Sequence, residues 1–321
     1  MSKHLIFRKI AVYSVLKCDI CGRRAVIYQR YSNRHLCRRH FIEHFERRVK
    51  YAIKKYNMIE KGDRIAIALS GGKDSVTLTY VLHKLYGHRE DIEFIAITVD
   101  EGIEGYRPPT VKIAKKITSE LGIEHHIVSF KDHFGMTLDE MVKIGDKKPC
   151  TYCGVFRKYL LNKTARELGA TKLATGHNLD DEVQTILLNF LQGDIARLAR
   201  LIPQRVQEGL ILRIKPFREV YEKEVVVYGL LHGLPMDMNE CPYSYFPVRA
   251  TVRDFIYEFE EKYPGRKFSI MRSFEALMPC LKEMFPQIEL NRCERCGEPT
   301  PKKICQACVL LEELKSKNKD K

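Results

Sequence analysis

An apolar run over residues 64–69 ends in Ser70-Gly71-Gly72-Lys73-Asp74-Ser75. That order restricts the chain to a strand, a tight turn and a helix arranged around an anion. Two glycines let the backbone approach a phosphate with no Cβ in the way, and the turn's amides face the start of the following helix, where the dipole favours negative charge. Lys73 adds a mobile cation, and Ser70 and Ser75 add hydroxyl donors. A Walker A loop separates its first glycine from Gly-Lys-Ser/Thr by four residues. This spacing differs, so the expectation is a pyrophosphate cradle rather than a phosphoryl-transfer loop.

The pattern around the turn sets the fold class. Apolar strands at 65–69, 94–99, 125–128, 172–175 and 210–214 alternate with amphipathic helices at 77–85, 111–121, 156–168 and 182–191. Regular βαβα order predicts a doubly wound parallel sheet covered on both faces, with ligands at the carboxyl ends of its strands. A linking helix is expected at 41–56, with Phe41, Phe45, Val49 and Ala52 as its core stripe. Beyond residue 218 the pattern is mainly helical. The expected division is a 1–45 extension and zinc finger, a 46–218 nucleotide domain, a 219–288 helical segment, a 289–310 zinc knuckle and a charged, frayed tail at 311–321.

A second strand-to-helix turn, Gly176-His177-Asn178-Leu179-Asp180-Asp181, should face the same crevice. Gly176 would admit a nucleotide, and Asp180 or Asp181 would hold Mg²⁺ or cap the helix.

Charge and cysteine usage narrow the partners. Lys and Arg number 55 against 41 Asp and Glu, a formal charge of +14 in 321 residues, which favours a large anion such as nucleic acid. No apolar run reaches the roughly 18–20 residues that span a bilayer, so a cytosolic protein with no membrane partner is expected. Eleven cysteines in such a chain then imply metal rather than disulfides. Cys18, Cys21, Cys37 and His40 have the spacing of a structural zinc finger, and Cys293, Cys296, Cys305 and Cys308 that of a four-cysteine knuckle. Arg23, Arg24, Arg30, Arg34, Arg38 and Arg39, with Tyr28 and Tyr31 among them, give the finger a basic face, either simply solvated or in contact with phosphates.

Cys150 and Cys153, in Pro149-Cys-Thr-Tyr-Cys-Gly154, have no second pair left to them, and Cys241 stands alone beside Pro242. Three thiolates with one open coordination position suit a [4Fe-4S] cluster. The alternative is a metal-free redox set in which one cysteine carries or resolves a persulfide. Cys280, flanked by Phe274, Leu277, Leu281 and Met284 at helical spacing, is expected to be a buried core thiol. No role is assigned to His83, His125, His126 or His232.

Ser-Gly-Gly-Lys-Asp-Ser after a strand resembles the signature of the PP-loop ATP pyrophosphatases, and the second turn is similar to that family's Gly-His…Asp-Asp motif. With the Pro-Cys-x2-Cys-Gly segment, a remote third cysteine and two terminal zinc modules, nearly the whole chain resembles the tRNA 2-thiouridine synthetases of the TtuA group and their archaeal and eukaryotic cytosolic thiolation relatives. The resemblance implies cluster ligands at Cys150, Cys153 and Cys241. It implies ATP contacts at Ala68, Leu69, Ser70, Gly71, Gly72, Lys73, Asp74 and Ser75, with Val99 near adenine and Gly176 and Asp181 completing the site. Arg157, or Lys158 beside it, would be a cation near the phosphates. A ubiquitin-like carrier with a C-terminal thiocarboxylate as sulfur source and a homodimer are implied in the same way.

The chemistry answers the need to replace a poor leaving group. The uridine C2 oxygen attacks the α-phosphate of ATP, pyrophosphate leaves, and a hydrosulfide or cysteine persulfide displaces AMP from C2. Mg²⁺, Lys73 and the loop amides neutralise the developing charge. Air exposure is expected to abolish activity while ATP binding survives. Relatives serve both uridine 54 and wobble uridine 34; the reading favours 5-methyluridine 54. Two alternatives are a tRNA lysidine synthetase-like adenylating ligase, which needs no cysteine set, and a non-catalytic zinc-ribbon RNA adaptor, against which the intact nucleotide turn argues.

Overall fold

A computed structural model describes residues 16–201, 208–244, 247–286 and 288–319. Of the segment 1–45 expected as extension and zinc finger, residues 1–15 lie outside the described residues. The chain forms β1 (Ile27–Gln29), β2 (Arg34–Leu36), α1 (Arg38–Lys55), β3 (Arg64–Ala68), α2 (Lys73–Tyr86), β4 (Glu93–Asp100), α3 (Arg107–Leu121) and β5 (Glu124–Ser129). There follow α4 (Phe130–Phe134), α5 (Leu138–Ile144), α6 (Pro149–Glu167), β6 (Lys172–Ala174), α7 (Leu179–Leu191), α8 (Ile195–Ala199) and β7 (Leu212–Ile214). The chain closes with α9 (Glu222–Leu231), α10 (Pro247–Lys262), α11 (Arg266–Met284), the hairpin β8 (Asn291–Arg292) and β9 (Pro299–Thr300), and α12 (Gln306–Lys319).

The central sheet has the order β5-β4-β3-β6-β7, every pair parallel. Both faces are covered, which is why its strands read as continuous apolar runs. Ile65, Ile67, Ala174 and Ile214 point to one face, packed with α1, α2 and α9. Ala66, Ile95, Ile97 and Leu173 point to the other, packed with Leu161 and Ala165 of α6. The α1 stripe of Phe41, Phe45, Val49 and Ala52 is wholly buried; each such phenylalanine is worth about 1.5–3 kcal/mol. The expected α/β architecture with metal modules at both ends is the one observed.

Three expectations are corrected here. Helix α6 begins at Pro149 rather than 156, because proline at the first helical position costs no hydrogen bond, so Cys150 and Cys153 sit inside its first turns. The segment read as a frayed tail is helix through Lys319, its charges facing water while Leu310 and Leu314 are fully buried. Cys280 is exposed: α11 buries Met271, Phe274 and Leu281, and leaves Leu277 and Met284 facing out with it.

Candidate active site

The nucleotide turn joins β3 to α2 at the carboxyl edge of the sheet. Gly71 has φ +87°, and a Cβ there would stand 2.0 Å from the Thr110 carbonyl oxygen of α3. Only glycine fits. Within the turn the Ser70 amide donates to Ser75 Oγ at 3.1 Å, and Ser75 Oγ donates to the Gly72 carbonyl at 3.0 Å. Lys73 Nζ lies 2.8 Å from Asp74 and 2.9 Å from Glu222 at the start of α9. The carboxylates hold the ammonium charge above its usual range against the opposing effect of burial.

The second turn reaches the same place. A Cβ on Gly176 would come within 3.0–3.1 Å of the Asp74 and Ser75 backbone, so this glycine lets the start of α7 close on the start of α2. Asn178 caps α7, accepting from the Asp181 amide at 3.2 Å while Asp181 accepts from the Asn178 amide at 3.2 Å. The structure separates the two aspartates. Asp180 is buried, ion-paired with Lys267 of α11, and accepts from the Glu222 amide at 2.9 Å. Asp181 faces Asp74 and Glu222: burial, with those two charges adding to it against a backbone hydrogen bond, pushes its carboxyl up to about 6. Asp74 is raised too, by burial first. Asp74 and Asp181, with Glu222 beside them, are oxygen donors suited to Mg²⁺.

Two residues outside the sequence reading frame the nucleotide turn. Arg107, 3% exposed, donates to the Ser70 carbonyl at 2.9 Å and the Val99 carbonyl at 2.5 Å, tying the ends of β3 and β4 together. Its Nε lies 2.7 Å from the buried Glu101 carboxylate, whose other oxygen is 3.6 Å from Arg157 Nη1. The signal for Arg107 was Arg-Pro-Pro opening a helix; nothing in the pattern marked Glu101. Arg157 is half-exposed, and the groups facing it are Cys153, Glu101, Cys241 and Tyr106. It stands beside the thiols, linked through Glu101 to the phosphate turn.

The remote cysteine arrives along a backbone track. Gly72 and Asp237 form a parallel bridge: the Lys73 amide donates to the Asp237 carbonyl and the Asp237 amide to the Gly71 carbonyl, each at 3.2 Å. Four residues later the chain turns at Cys241, closed by the Ser244 amide on the Cys241 carbonyl at 2.8 Å. Cys150 Sγ lies 3.2 Å from the Tyr243 carbonyl, and Cys153, Cys241 and Tyr243 pack against one apolar cluster. Burial pushes the Cys153 thiol up to about 11 against the pull of Arg157, and raises Cys150 and Cys241 as well. A metal entering here must displace protons.

Two other groups converge more tightly. The ligand atoms of Cys18, Cys21, Cys37 and His40 lie within 4.8 Å of one another, and so do those of Cys293, Cys296, Cys305 and Cys308. Each offers four donors to a single tetrahedral ion, as structural zinc requires. The three thiols of the central site form no such set among the described residues.

On the far side of Lys73 a cavity of about 670 Å³ opens between the finger and the helical segment, walled by Gln29, Tyr31, Tyr221 and Tyr257 among others. Among the described residues no helix is long and apolar enough to cross a membrane.

Residues 41–258 match the family model described as PP-loop domain. Residues 17–42 match the N-terminal LIM domain of the 2-thiouridine synthetase TtuA, and residues 291–318 a zinc-ribbon. The chain is 40% identical to the tRNA 2-thiolation protein NcsA of Haloferax volcanii, over 94% of this chain and 100% of that one. It is 41% identical to the cytoplasmic tRNA 2-thiolation protein 1 of Arabidopsis thaliana, over 95% and 86%. Among solved structures it is similar to the U34-tRNA thiolase NcsA from Methanococcus maripaludis with its [4Fe-4S] cluster, at TM-score 0.81 and 35% identity, covering 93% of this chain and 96% of that one.

Proposed function

Because this chain belongs to the PP-loop family of tRNA 2-thiolation proteins, we propose that it is an ATP-dependent sulfurtransferase that converts the wobble uridine 34 of tRNA to 2-thiouridine. The observation that carries this reading is the Gly72–Asp237 bridge: it ties to the phosphate turn the segment whose turn at Cys241 sets the Tyr243 carbonyl 3.2 Å from Cys150 Sγ. Activation of an oxygen and delivery of sulfur can then share one pocket.

The residues divide the work. Ser70, Gly71, Gly72 and Ser75 hold the β- and γ-phosphates, with Ala68, Leu69 and Val99 toward the adenosine. Lys73 neutralises the leaving pyrophosphate, and Asp74 and Asp181 would hold Mg²⁺ against it. The uridine C2 oxygen attacks the α-phosphorus; a sulfur nucleophile carrying its own electron pair then adds at C2, and AMP leaves with the oxygen. Arg157, between Cys153 and Glu101, is placed to steady the anionic sulfur or the departing AMP. Cys150, Cys153 and Cys241 fit a [4Fe-4S] cluster by donor chemistry: three half-buried soft ligands, Cys153 and Cys241 against an apolar cluster. When bound, that cluster supplies an iron with an open position for the incoming sulfur. The two four-ligand groups would hold Zn²⁺ and keep the terminal modules folded.

Uridine 34 is favoured over 54 by the solved U34-tRNA thiolase and the cytoplasmic thiolation relatives, which match across nearly the full chain. The family model that names TtuA matches the finger, residues 17–42. A lysidine-type ligase or an RNA adaptor would leave the three gathered thiols without a task. A cytoplasmic setting, a ubiquitin-like carrier as sulfur source and a homodimeric assembly complete the proposal. Mass mapping of tRNA from a deletion strain, with and without the gene restored, tests it: the 2-thio group should vanish and return at position 34. Loss at position 54 alone would assign the other target, and no loss at either would refute the function.

A further inference from the structure

Helix α6 carries Cys150 and Cys153 in its first turns. Farther along it, Tyr152, Tyr159 and Arg166 recur at intervals of seven, which returns to nearly the same face every two turns. That one stripe meets the C-terminal ribbon at three levels. At the top, Tyr152 is 1% exposed and shares an apolar cluster with Cys293, Cys305, Leu310 and Leu314. Its hydroxyl and Leu314 Cδ2 meet over Gly145, where a Cβ would stand 2.0 and 3.0 Å from them. In the middle, Tyr159 packs against the same cluster beside Cys296 and Cys308. At the bottom, both Arg166 Nη atoms donate to the two oxygens of Glu298, which lies between the ribbon's cysteine pairs and is 6% exposed. Arg166 Nη1 also donates to the Gly209 carbonyl at 3.1 Å.

We propose that the C-terminal ribbon is a splint for the three-thiol site: it grips the Tyr152–Tyr159–Arg166 stripe and so fixes where α6 presents Cys150 and Cys153 to Cys241. The ribbon is too short to fold without its metal, so its hold on α6 depends on Cys293, Cys296, Cys305 and Cys308 being loaded. Cys241 comes from the opposite direction, anchored through Asp237 to the nucleotide turn. Loosening the ribbon therefore frees two thiols of the three and leaves ATP binding untouched. The inference builds on the reading of the thiols as cluster ligands, yet can be tested apart from it. Arg166 is a positioning residue, since it touches no reacting group.

The test is a charge swap. In the full-length protein loaded with iron anaerobically, Arg166→Glu should speed iron release to a chelator by about 10-fold, the range for disturbing a support of metal ligands. It should leave the affinity for a non-hydrolysable ATP analogue unchanged, and Arg166→Glu combined with Glu298→Arg should restore slow release. Arg166→Ala and Tyr159→Phe, which delete contacts without adding a like charge, should act in the same direction if the first variant is insoluble. Iron release at the wild-type rate in these variants overturns the splint, as does failure of the swap to restore it. If the wild-type chain takes up no iron, the cluster reading falls and the splint is read by alkylation instead. Faster labelling of Cys150 and Cys153 with Cys241 unchanged supports it, and uniform labelling refutes it.

Discussion

Asp180 and Asp181 are chemically identical neighbours with opposite duties, and the difference is one step of helical rotation. The first turns inward to Lys267 and the Glu222 amide; the second turns toward Asp74 and the place for a metal. Sequence offered both as Mg²⁺ ligands because spacing alone does not give the direction of a side chain. Arg107 and Glu101 were missed for a related reason: a single buried ion pair has no period. The raised carboxyl of Asp181 has a measurable consequence. Its proton is held more tightly in the folded protein than in the unfolded chain, so its contribution to stability declines as pH rises from about 3.8 through about 6 and is flat above. Asp181→Asn should raise the melting temperature of the nucleotide-free protein less at pH 5, inside that window, than above it. At pH 8, where the native carboxylate is charged beside Asp74 and Glu222, it should raise the melting temperature by roughly 2–4 °C for each kcal/mol relieved. Scanning calorimetry at the two pH values checks this; an equal shift at both would mean that the aspartate's charge is not strained.

At the scale of elements, the buried strands were the most legible part of the chain, because a sheet covered on both faces must be apolar on both. Helix ends were less so. The start of α6 hid behind two cysteines and a glycine that resemble a loop, although Pro149 was the sign of a first helical turn. The start of α12 hid its two inward leucines among charges. Cys280 was misjudged because α11 has apolar residues around most of its circumference, and period then fails to say which side packs. Where elements meet, the demands are sharper. The approach of α7 to α2 leaves a Cβ on Gly176 only 3.0–3.1 Å from the Asp74 and Ser75 backbone, so Gly176→Ala should push the two turns slightly apart at a cost of about 1–3 kcal/mol, typical of overpacking. Much of that should appear as weaker ATP binding by calorimetric titration, with iron content unchanged. Undiminished ATP affinity would show that the second turn does not take part in the nucleotide site.

Over the whole molecule, the central sheet stands between two cysteine-rich modules, one resting on each flank. The formal charge of +14 suits a polyanionic substrate that must be drawn in before one base is placed. The family resemblance was visible from the spacing of motifs, but the meeting of distant parts was not. That the turn at Cys241 and Tyr243 reaches Cys150 rests on a bridge of two hydrogen bonds between Gly72 and Asp237, which no local pattern announces. Under the proposed function the same bridge would make adenylation and sulfur delivery neighbours. Cys150→Ser, Cys153→Ser and Cys241→Ser should be assayed anaerobically, each for thionucleoside formation and for ATP binding. Each of the three should abolish 2-thiouridine while ATP affinity stays at the wild-type value; thiolation that persists in any of them would contradict a sulfur-delivering site built on these thiols.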